Sequence, residues 1–211
     1  PDYLGDLEGL IDAMAGDQAA DVVAHSMGGN VAVLYAGVRP ERMRRLVNLE
    51  GVGMPVSKAE QAPGRYRRWL DELKAPRRLK PYASLAAVAA RLCKTNPRLR
   101  PDFAAFLAQH WAKITPAGEF ELLGDPVHKG IAPTLYQLDE VLACWRQISA
   151  DVLWVMAQEQ NEWHRFTQEP GYEDRLKTIR SLRRVTVANT GHMIHHDQPG
   201  PMARLIEEFL A

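Results

Sequence analysis

A chain of 211 residues, 46% hydrophobic and 25% charged, has ordinary globular composition and enough apolar material for one core with a subdomain. Lys plus Arg equals Asp plus Glu at 26 each, which removes the electrostatic reason to expect nucleic acid or a charged membrane surface as partner. No apolar run approaches the ~20 residues of a membrane span, no secretory signal is visible, and Cys93 and Cys144 sit in apolar, helical surroundings where buried free thiols are the default, so the expectation is a cytoplasmic protein.

In chain order, Leu4, Leu7, Leu10, Ile11 and Met14 recur at helical spacing and stop at Gly16-Asp17. A strand through Val22 and Val23 follows. It runs into Ala24-His25-Ser26-Met27-Gly28-Gly29 and then a helix that ends near Val38, before Arg39-Pro40. The next strand is Leu46-Val47-Asn48-Leu49, followed by Glu50-Gly51. Helix, strand, helix, strand predicts a parallel sheet with crossover helices. Gly51 to about Pro133 breaks that rhythm. Tyr66, Trp69, Leu70 and Leu73 mark one helix, Ser84 caps a second, and Pro101-Asp102 opens a third with Phe103, Phe106, Leu107 and Trp111. This is expected to be an all-helical insertion whose aromatic residues form its own core. Glu119 to Pro126 suggests an extended segment and turn. A helix through Leu135–Trp145 returns to a strand, Val152–Met156, apolar throughout as a strand buried on both faces should be. A helix near Tyr172–Ile179, a strand at Val185–Val187, a loop carrying Gly191-His192 and an amphipathic helix from Met202 to Leu210 complete the chain.

Two segments carry chemistry. Ser26 sits at the apex of a strand–turn–helix, with Ala24 two residues before it and Gly28 two after, positions where larger side chains would collide in a sharp bend. The helix N-terminus beyond it offers unpaired N–H groups and a favourable dipole for negative charge. His192 lies in the loop between the last strand and the last helix, with Pro199 near that helix start.

On Ala24-His25-Ser26-Met27-Gly28-Gly29 and Gly191-His192 through Pro199, the chain resembles an α/β-hydrolase-fold serine hydrolase. The resemblance implies a three-layer α/β-hydrolase fold with a mostly parallel sheet and a helical cap. Residues 1–55 and 134–211 would form the core and residues 56–133 the cap. The family has further strands and a His-Gly loop before the serine, so roughly 70–90 N-terminal residues of a family-like parent are expected beyond this chain.

The implied triad is Ser26, His192 and an acid, with the Met27 backbone N–H in the oxyanion hole. The acid follows either of two strands. After the earlier one stands Glu50. After the later one the chain reads Ala157-Gln158-Glu159-Gln160-Asn161-Glu162, with an amide where the family has aspartate. Glu50 is favoured because it ends a parallel strand, where such sheets collect functional groups; Glu159 and Glu162 are the alternatives. The implied activity is hydrolysis of a carboxylic ester or related acyl bond of a small hydrophobic substrate, with thioester or C–C bond hydrolysis, or a non-catalytic ligand-binding role, as other readings. Neither cofactor nor metal is expected.

Overall fold

The computed structural model describes residues 2–75 and 78–211, leaving out the side chains of Glu162 and Trp163. The chain divides into two compact units, Pro1–Val56 with Gln137–Ala211, and Ser57–Tyr136.

In the first unit, helix α1 (Asp2–Ala15) leads to strand β1 (Ala20–His25), helix α2 (Met27–Val38) and strand β2 (Met43–Leu49). The second unit holds α3 (Ala62–Lys74), α4 (Leu85–Thr95), α5 (Pro101–Trp111), β3 (Ala112–Ile114) and β4 (Phe120–Leu122). The first then resumes with α6 (Leu138–Trp145), β5 (Asp151–Ala157), α7 (Tyr172–Leu176), β6 (Leu182–Val187), α8 (Ile194–Asp197) and α9 (Pro199–Leu210).

The main sheet is parallel, ordered β1-β2-β5-β6. Its two central strands are covered on both faces, which is why β5 is apolar from Val152 to Ala157 and buried along that whole length. Successive side chains alternate between the faces. Leu46, Val152 and Trp154 join Ile11 of α1, Ala32, Val33, Tyr35 and Ala36 of α2, and Trp145 of α6 in one core. Val47, Leu49, Leu153 and Val155 meet Ile194 of α8 and Met202 of α9 in the other. Helices on both faces give the three layers.

The insertion differs from the expectation of an all-helical unit. Strands β3 and β4 pair antiparallel, and Tyr82 bridges to Phe120 with N···O distances of 2.7 and 2.8 Å. Thr115-Pro116-Ala117-Gly118 makes the turn, Gly118 taking φ 79°. Strands this short carry too few residues to declare a period of two. Ser84 caps α4 as expected, its Oγ accepting the Ala87 N–H at 3.1 Å. The aromatic residues do not form the unit's core. Tyr66, Phe106 and Trp111 are exposed, and the buried positions are Val88, Leu99, Ala104 and Ala108. Ala104 and Ala108 lie one turn apart on α5, on the face the helix buries, and Phe106 falls on the opposite face. Cys93 and Cys144 are free thiols, partly rather than fully buried. No helix among the described residues is long and apolar enough to cross a membrane.

Candidate active site

β1 ends at His25 and α2 begins at Met27, so Ser26 alone makes the turn, at φ 55° and ψ −119°. A positive φ on a residue with a Cβ costs about 1–3 kcal/mol and persists only where the surroundings hold it. Here the Ser26 N–H donates to Leu49 O at 2.8 Å, and Ser26 O accepts the Asn30 N–H at 3.0 Å.

Gly28 is not the glycine that the described packing requires. A Cβ there meets nothing within 4 Å, whereas a Cβ on Gly29 would lie 2.2 Å from Asn48 Oδ1 and 3.1 Å from Gly51 Cα. The close approach is between the first turn of α2 and the chain leaving β2. Two asparagines fix that second segment. Buried Asn48 accepts the Gly51 N–H at 3.0 Å and donates to Gly51 O at 2.8 Å, and Asn30 Oδ1 accepts the Gly53 N–H at 2.8 Å.

Glu50 stands between these ties at φ 59°, its N–H donating to Val155 O at 2.9 Å. The carboxylate is buried, and each oxygen has donors. Oε1 accepts the Ala157 N–H at 2.6 Å. Oε2 lies 2.8 Å from His164 Nε2 and 3.2 Å from His192 Nδ1. Burial pushes the pKa up, but the hydrogen bonds from His164, His192 and Ala157 outweigh it and hold the carboxyl at about 2.

His192 is carried by the loop after β6. The Gly191 N–H donates to Asp197 Oδ2 at 2.8 Å, and Ile194, buried between sheet and α9, anchors the loop from below. His25 Nε2 donates to the His192 carbonyl at 2.7 Å, clamping the loop to the end of β1. The ring spans the site: Nε2 is 2.8 Å from Ser26 Oγ and Nδ1 faces Glu50. An ionised carboxylate only accepts. Nδ1 therefore carries the proton, and the Nε2 lone pair faces the serine hydroxyl.

Ser26, His192 and Glu50 thus converge from the ends of β1, β6 and β2. Met27, whose N–H opens α2, is adjacent, with its side chain exposed. Glu159 is elsewhere. It is exposed, and its backbone N–H donates to Thr190 O at 3.0 Å, shaping the loop. The Glu162 side chain lies outside the described residues.

Sequence reasoning missed His164, His25 and the supporting asparagines. His25 sits inside the turn motif but carries no spacing signal of its own. His164 lies in a 3₁₀ helix, Glu162–Gln168, whose sequence shows no apolar period, and only its place soon after a strand end could have suggested a role. His195, packed 4.5 Å from the His25 ring and 4.1 Å from His196, is held near pKa 4 by burial and then by those neighbouring rings. His25 and His196 are lowered as well, chiefly by burial.

Glu50, His164 and His192 also bring three potential ligand atoms within 4.8 Å of one another. A zinc ion would need nitrogens at about 2.0–2.1 Å and would displace both ring protons. The observed contacts are hydrogen bonds to one shared oxygen. Residues 50, 164 and 192 are too far apart in sequence to show any ligand spacing.

A family model described as the alpha/beta hydrolase family matches residues 1–205. A serine hydrolase-like protein of Danio rerio is 23% identical over 218 residues, covering 100% of this chain, which spans 66% of that protein's length. The crystal structure of the hypothetical protein PA1622 from Pseudomonas aeruginosa PAO1 superposes with a TM-score of 0.81 at 24% identity, covering 99% of this chain and 71% of that one. The thioesterase domain from the curacin biosynthetic pathway gives 0.75 at 24% identity, over 97% and 70% of the two chains. These two structures share the fold. With a family match over nearly its full length, the chain belongs to the alpha/beta hydrolase family.

Proposed function

We propose that this chain carries the nucleophile, base and acid of a serine hydrolase that cleaves a carboxylic ester or related acyl bond. The observation that supports it most is the continuous path Ser26 Oγ, His192 Nε2, His192 Nδ1, Glu50 Oε2, with steps of 2.8 and 3.2 Å across the ring. His192 takes the Ser26 proton as Oγ attacks the acyl carbon, and Glu50 keeps the imidazole in the Nδ1–H tautomer and stabilises the imidazolium. The tetrahedral oxyanion lies at the N-terminus of α2, where the Met27 N–H donates to it; one such donor is worth about 10²–10³ in rate. Collapse expels the alcohol, which receives the proton from His192. Water, activated by the same base, then releases the acid.

The substrate in this reading is a small or medium hydrophobic acyl compound. No metal or cofactor takes part in the chemistry proposed.

A fluorophosphonate probe tests it on the full-length protein. Peptide mass spectrometry is expected to find the label on Ser26, and His192→Ala is expected to abolish it. An unlabelled Ser26 in the folded wild-type protein would overturn the reading.

A further inference from the structure

Glu50 has to place a carboxylate at the end of a flexible side chain, on a residue already at positive φ. An aspartate would need two side-chain torsions fixed; a glutamate needs three. One donor, the Ala157 N–H, restrains Oε1 only. The other fixed point is His164. Its Nε2 is 2.8 Å from the same Oε2 that faces His192, and the ring is 1% exposed.

The ring is itself locked. Its Nδ1 lies 3.2 Å from the Asn161 backbone N–H and 3.1 Å from Asn161 Oδ1. The His164 N–H donates to Asn161 O at 3.0 Å, and His164 O accepts the Thr167 hydroxyl at 2.7 Å. A carboxylate cannot donate, so Nε2 bears a proton. His164 is thereby held with its Nε2–H aimed at Oε2 of Glu50.

We infer that His164 is a positioning residue of the site, a fourth member that holds the Glu50 carboxylate in line with His192 through its Nε2–H. The inference rests on the triad reading above and extends it. The loop after β5, which lacks the expected acid, instead supplies the support for the acid on the neighbouring strand.

The test compares His164→Gln, whose side-chain N–H₂ can reach Glu50, with His164→Leu, which keeps volume and removes the donor. Steady-state hydrolysis of a short-chain aryl ester by the full-length protein is the first readout. His164→Leu is expected to lose about 10- to 100-fold in kcat with KM within about twofold, the loss typical of one hydrogen bond to a charged group. His164→Gln is expected to recover most of it. If His164→Leu does not fold, His164→Asn replaces it, because the shorter amide cannot bring its donor to Oε2.

The second readout needs no turnover. Nitrogen-15 NMR of the histidine rings is expected to show His164 as Nε2–H and His192 as Nδ1–H in the wild-type protein, with faster solvent exchange of the His192 ring proton when the donor is lost. Equal kcat in all variants, equal losses in Gln and Leu, or an unchanged His192 ring proton would overturn the inference. A protein whose rings behave as expected but which hydrolyses nothing would sink the proposed function and leave the positioning role standing.

Discussion

The two units of this chain are built on opposite terms. In Pro1–Val56 with Gln137–Ala211, two apolar cores flank a parallel sheet, and the polar groups at the strand ends are tied by paired hydrogen bonds. Asn48, Glu50, His164 and Thr190 are all buried there. In Ser57–Tyr136 the fully buried residues are few and mostly small, while Tyr66, Leu70 and Leu73, spaced on one side of α3, are exposed. The first unit holds Ser26, His192 and Glu50 in place. The second exposes much of its apolar surface. A site that depends on separations of about 3 Å belongs on the part whose strain is held by its surroundings.

That contrast is breakable. The largest effect is expected at the acid: Glu50→Gln should lower kcat by about 10³–10⁴, because the amide lets His192 adopt the wrong tautomer. Glu159→Gln, on the same assay, should stay close to wild type. The reverse result would move the acid to the later strand.

Gly29→Ala comes next. Its Cβ would strike Asn48 Oδ1, a buried side chain bonded to Gly51, so the backbone must move. A loss of about 1–3 kcal/mol is expected from urea unfolding, as for other overpacked sites. Gly28→Ala, with open space at its Cβ, should lose less stability.

Acid titration gives a graded test. His195 titrates near 4 in the folded state, below the ordinary histidine value of 6.5, so the unfolded chain binds more protons between those values. Its contribution to stability is whole above 6.5 and is lost as pH falls towards 4. Glu50, held at about 2 against an ordinary 4.5, adds a second loss between 4.5 and 2. Urea midpoints measured against pH should therefore fall in two stages, and His195→Gln should flatten the upper one. The smallest effect is expected in the insertion. Leu70→Ser on α3 should change stability by no more than about 0.5 kcal/mol. A larger loss would show that this face is covered in solution.

The chain itself declares the candidate site only where local rules act. Ser26 is legible because a strand, a small-residue bend and an apolar helix follow one another within a few residues. His192 is legible because a glycine-led loop follows a strand. The buried strand at 152–157 declares itself by unbroken hydrophobicity, since a central parallel strand needs apolar groups on both faces. The hairpin β3–β4 and the outward Phe106 of α5 are not declared, because short strands have no measurable period and a helix face is chosen by its neighbour.

Sequence alone determined the order of elements and two of the groups that meet. Tertiary structure alone decided that Oε2 of Glu50 lies between two imidazoles, that His25 grips the loop bearing His192, and that Gly29 rather than Gly28 marks the tightest contact. The reason is distance along the chain. Residues 50, 164 and 192 interact only after β2, β5 and β6 align in register, and no local pattern encodes a hydrogen bond across more than a hundred residues.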